Sequence, residues 1–223
     1  MNESILEQLD SQIKAMRELR RKEQKKANAE QQKATDQKYK TLVQQADQYM
    51  NILSYIQENL GFVCSAELVA GLRTFFHKLE SAVCYGDAEK EAVSQATDMF
   101  KGVQNETKKV WAKHFDALTR KTRGTLEIVR SIDPEKVMKC LKLIQDAEVW
   151  TMEKEVFERL RQALDGAEAL IQGLGLNSGL NSNITDFLSK MAHGQATLKD
   201  LNEDIIAWIR KGNFEYRVKL SFR

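Results

Sequence analysis

The sequence predicts an all-α, elongated protein built around a long antiparallel helical hairpin or coiled coil, followed by a small C-terminal helical segment that ends in one β-strand. Three observations point there. A single proline and eleven glycines in 223 residues, with 30% charged and 42% hydrophobic residues, is the balance of long helices rather than of sandwiches or barrels. Apolar residues recur three and four positions apart over most of the chain. Only the last ten residues change to a period of two.

Ser4 with Glu7 has the capping-box spacing, in which each side chain satisfies a free amide of the first turn, so a helix is expected to begin there. Leu6, Leu9, Ile13 and Met16 then form a coiled-coil seam. In the same register Arg20, Glu23, Ala27 and Glu30 follow, so the seam fades into a helical but weakly packed stretch. Apolar spacing returns at Leu42, Ala46, Tyr49, Leu53, Ile56 and Leu60, and Gly61 is placed to end the helix in a left-handed cap.

Ser65 is a candidate cap for a second helix carrying Leu68, Leu72, Phe75, Phe76, Leu79 and Val83, closed by Gly86. Asp87 would cap a third, with Val93, Ala96, Phe100, Val103, Val110, Ala117 and Ile128 on its apolar face and Gly102 and Gly124 weakening it. Asp133-Pro134-Glu135 combines a capping aspartate, proline in the first turn and an acid beside it, the clearest helix start in the chain. A fourth helix from there to Leu170 would lie antiparallel on the third.

The stretch 173–183 reads GLGLNSGLNSN and marks a boundary. The expected organisation is therefore an N-terminal arm over 1–60, a helical bundle with the long hairpin over 61–172, and a C-terminal docking segment over 173–223. In the last part Thr185 to Met191 reads as a short helix. Thr197 with Asp200 resembles a capping box for a final helix closed by Gly212. Phe214, Tyr216, Val218, Leu220 and Phe222 then alternate with polar residues as on a strand. A strand needs a partner for its amides and carbonyls. Pairing with a sheet edge of another protein is one expectation; an internal ribbon with residues 125–132, or a tail lying on the helices, are the others.

Two basic regions stand out. Lys14, Arg17, Arg20, Arg21, Lys22, Lys25 and Lys26 face only Glu18 and Glu23, a local balance of +5. Lys108, Lys109, Lys113, Arg120, Lys121, Arg123 and Arg130 form the second. Either set could contact phosphates through counterion release. The competing reading is a solvated helix face, or pairing with the acids of the fourth helix. The net charge of the whole chain is +2, too small for a global basic field.

For catalysis the sequence offers little. His77, His114 and His193 lie in separate segments and outside any metal-binding spacing. Cys84 follows His77 by seven residues, two turns away on a common helix and too distant for a nucleophile-base pair. No glycine-rich phosphate loop is present, and no catalytic, cofactor or metal residue is assigned. Trp111, Trp150 and Trp208 sit among helix-spaced apolar residues and read as packing rather than membrane anchors. Cys64, Cys84 and Cys140 suit reduced thiols of a cytoplasmic protein, and the acidic opening segment is unlike a signal peptide. No run approaches the roughly 18 apolar residues of a bilayer span.

The expected function is a non-enzymatic scaffold or adaptor subunit of a cytoplasmic multiprotein complex, with protein partners in an obligate complex or a homo-oligomer. A nucleic-acid-associated accessory protein, partner to an ATPase or nuclease, is the alternative. A membrane-surface or self-polymerising helical protein is the third.

Overall fold

The structure, a computed structural model, describes residues 5–84, 87–174 and 182–220; for 5–13, 15, 84, 87 and 182 it describes the backbone alone. The Ser4 cap and Gly86 lie outside the described residues. These residues form seven α-helices: α1 (Ile5–Leu60), α2 (Ala66–Glu80), α3 (Lys90–Val129), α4 (Pro134–Asp146), α5 (Lys154–Gly173), α6 (Ser182–Ala192) and α7 (Glu203–Gly212). A two-residue antiparallel ribbon, β1 (Val83–Cys84) with β2 (Asp87–Ala88), sits between α2 and α3. The all-α class stands.

The chain divides into two compact units, 1–49 with 65–106, and 50–64 with 107–223, and α1 and α3 each contribute to both. In the first unit, α1 buries Thr35, Leu42, Ala46 and Tyr49, a spacing of seven, four and three that keeps one helix face inward. Tyr49 meets the Phe100 ring of α3 edge-on at 5.6 Å, and Phe75 of α2 stacks on Phe100 at 4.9 Å. Ser65 caps α2 as expected, accepting from the Leu68 amide at 3.1 Å. The helix stops earlier than Gly86, at Glu80, so Val83 leaves the helical face for β1, and Asp87 lies in β2 rather than capping α3.

The second unit is organised on Trp111, fully buried, whose ring packs edge-on against Phe157 of α5 at 5.0 Å and lies near Phe62, Phe115 and Trp150 at about 6 Å. Trp150 and Trp208 are buried as well, so all three tryptophans pack. Past Val103, α3 buries Thr107, Trp111, Phe115 and Thr119, a four-residue ridge, while Val110 is half-buried and Ala117 exposed. Gly61 closes α1 with φ +65°, and Asp133 caps α4 through the Lys136 amide at 3.3 Å, both as the residues suggest.

Three further expectations are corrected. The fourth helix is not continuous to Leu170: it ends at Asp146, and a connection over 147–153 turns the chain so that α4 packs on α5, with Gly166 opposite Cys140. Second, the Thr197–Asp200 capping box forms but holds only a 3-10 turn, Leu198–Asp200; α7 starts later, under an Asn202 cap that accepts from the Ile205 amide.

Third, the C-terminal β-strand is absent. Asn213 takes the left-handed conformation (φ 53°), and the amides of Asn213 and Phe214 donate back to Arg210 and Ile209, the two bonds of a Schellman end. Phe214 then folds onto Trp208, ring to ring at 4.9 Å. Its carbonyl accepts from the amides of Arg217 and Val218, which makes 214–218 a turn. Phe214 is buried, Tyr216 is exposed, and Val218 and Leu220 are half-buried, so the row shares no single face; Phe222 lies outside the described residues. The alternation was real, but side-chain packing of its first member on α7 outcompetes an unpaired extended chain. Residues 125–129 are helical, so the internal ribbon is not formed either.

Candidate interaction surface

Unit one fastens α1 through the backbone of a single residue. The Ala88 amide donates to Asp36 Oδ1 at 3.1 Å, while Gln32 Nε2 donates to the Ala88 carbonyl and to Asp36 Oδ1, each at 3.0 Å. One turn of helix thus satisfies both main-chain groups of a buried ribbon residue. Tyr39 packs on the adjoining cluster of Ala82, Ala88, Ala92 and Val93. Gln32 and Asp36 were not singled out by sequence, because an (i, i+4) polar pair reads as an ordinary exposed helix face.

Before this clamp, α1 has no buried side chain among those described. Every residue from Met16 to Gln31 is exposed, with Met16 at 57% and Leu19 at 59%. Of the expected seam, Leu6, Leu9 and Ile13 are helical in backbone, and their side chains lie outside the described set; Met16 is in solvent. Lys14, Arg17, Arg20, Arg21, Lys22, Lys25 and Lys26 are all exposed. Lys14, Arg17, Arg21 and Lys25 are three, four and four apart and so share one helix face.

The second basic region differs. Lys108, Lys109, Lys113, Arg120, Lys121 and Arg130 are exposed and Arg123 half-buried. Arg120 and Arg123 both bind Asp116, the latter at 3.2 Å with its guanidinium over the Phe115 ring, and Arg130 reaches Glu127 at 3.4 Å. Its arginines pair with acids of α3, Arg130 from the turn just past that helix, and not with α5, whose Glu158 and Asp165 pair with Lys154 and Arg161 of their own helix.

His77 is exposed on α2 and Cys84 belongs to β1, so they share no helix. Nε2 of His114 donates to the Leu60 carbonyl at the end of α1, at 2.9 Å. Cys64 and Cys140 are half-buried free thiols, each pushed above the usual thiol range by burial. Among the described residues no group of three or more His, Cys, Asp or Glu is placed to hold a metal ion, and no helix is long and apolar enough to cross a membrane.

No protein-family model matches the chain, no curated protein matches it, and no solved structure matches it. What the geometry defines is a class: an all-α protein whose first helix carries a sixteen-residue exposed stretch, basic on one face.

Proposed function

We propose that the protein is a non-enzymatic helical adaptor of a cytoplasmic multiprotein complex, and that residues 16–31 of α1 are where it docks a partner protein. The observation that carries this reading is the unbroken exposure of those sixteen helical residues. A helix of that length is marginal in water without packing, because nucleation is costly and each residue adds little. Such a segment gains its stability by laying a face on something else. Met16 and Leu19 supply apolar contacts, and Leu6, Leu9 and Ile13 continue their spacing in sequence. The occupant that fits is a helix with an apolar seam and acidic flanks, which would meet the seam and the basic face together.

A second reading rests on one observation. Lys14, Arg17, Arg21 and Lys25 line one face over about 16 Å of helix, a spacing that also suits a nucleic-acid backbone. One experiment separates the two. Tagged full-length chain is isolated from its own cells in three forms: unaltered, with Met16→Asp and Leu19→Asp, and with Arg17→Gln and Arg21→Gln. The adaptor reading expects a stoichiometric protein partner that the apolar pair of substitutions removes. Loss of a nucleic-acid gel shift on the charge substitutions alone, with no protein partner in any form, replaces it with the second reading.

A further inference from the structure

The second unit carries a cleft of about 520 Å³ where the turn after α3, the end of α6 and the C-terminal segment meet. Its polar lining is Arg130, Ser131, Ser189, His193 and Lys219, with Glu127 the one carboxylate. Lys219 is brought there by Arg217, whose guanidinium donates to the Ile132 carbonyl at 3.1 Å and lies 3.7 Å from Asp133 Oδ2. The polar side of the C-terminal alternation thus does what its apolar side does not: it straps the segment onto the α3–α4 turn. His193 donates Nδ1–H to the Ser189 carbonyl at 2.7 Å, which fixes the ring and leaves Nε2 as its other polar atom. Ser131 Oγ is buried and has no hydrogen-bond partner among the described residues. Glu127 is engaged by Arg130 only at 3.4 Å, through one of the five N–H groups of the guanidinium. Two cations, an imidazole and the Ser189 hydroxyl against one carboxylate favour an anion with several acceptor oxygens.

We propose that this cleft binds a small soluble phosphate monoester. The phosphoryl oxygens take the guanidinium of Arg130 and the ammonium of Lys219, and His193 and Ser189 complete the hydrogen bonding. The cleft involves none of residues 16–31, so its test and that of the docking helix succeed or fail separately.

The test is calorimetric titration of the full chain at fixed ionic strength with inorganic phosphate, with glycerol phosphate, and with vesicles containing phosphatidic acid. The expected result is saturable binding of glycerol phosphate and of inorganic phosphate. Lys219→Gln and Arg130→Gln should each weaken it about tenfold, the loss of one charge-assisted hydrogen bond, and both together should abolish it. Lys199→Gln, outside the cleft, should change nothing. Far-UV circular dichroism and the urea midpoint confirm that each variant is folded. No binding of glycerol phosphate, binding of vesicles alone, or binding that all variants share overturns the proposal.

Discussion

Trp111 donates its indole N–H to the carbonyl of Ala147 across 2.9 Å, and Ala147 is the residue that ends α4. Trp208 repeats the arrangement at the end of α5, donating to Leu174 at 2.7 Å. The end of α1 is treated alike, by His114 on Leu60 and by Arg161 on Asn59, both at 2.9 Å. Helix ends leave carbonyls without an intrahelical donor. In the second unit, long side chains from other helices supply the missing donors.

Trp111→Phe keeps much of the ring contact and strands the Ala147 carbonyl in a fully buried position. We expect a loss of about 2–4 kcal/mol, an unsatisfied acceptor plus a small cavity, read as a fall in the urea midpoint with unchanged slope. A shift within about 0.5 kcal/mol would remove this hydrogen bond from any role in ending α4.

That bond also explains what was legible in the sequence and what was not. The caps at Ser65, Asp133 and Gly61 were readable because a side chain or a left-handed backbone acts within a few residues of itself. The break at 147–153 contains no glycine or proline and is stabilised by a residue 36 positions away, so no local pattern announces it. The C-terminal alternation misled for the same reason. Its fate is decided by Trp208 taking Phe214 and by Ile132 taking Arg217. The exposed basic helix was visible as a fading seam, whereas the Gln32–Asp36 clamp on Ala88 was not.

Gly212 and Gly102 should respond oppositely to alanine. A methyl on Gly212 would overlap the Phe214 ring, which must then leave Trp208, while a methyl on Gly102 meets nothing within 4 Å. Gly212→Ala is expected to cost about 1–3 kcal/mol. Gly102→Ala is expected to stabilise by about 0.5–1 kcal/mol, since it stiffens a helix interior. Thermal midpoints of the two single variants give the comparison.

Asp200 ties the α6–α7 connection to pH. The Lys190 ammonium first, then the amide and hydroxyl of Thr197, lower its carboxyl from 3.8 to about 2. A carboxyl held down on folding stabilises the fold above its unfolded value, and that contribution fades as pH falls through the folded one. Trp208 fluorescence should therefore show a loosening step between about pH 4 and 2. Asp200→Asn should lack that step.

Asp36→Ala leaves the amide of the buried Ala88 without its acceptor. The expected cost is about 1–3 kcal/mol. Amide exchange at Ala88 should rise before that of Phe100 in the same unit, which the clamp does not touch.

The docking claim meets its most direct test in hydrogen-deuterium exchange of residues 16–31, compared between the isolated chain and the chain held in its native complex. The expected result is fast exchange over the whole stretch in isolation, while residues 42–56 are protected, and slow exchange throughout 16–31 in the complex. Fast exchange of 16–31 in both states, or full protection already in the isolated monomer, would contradict it.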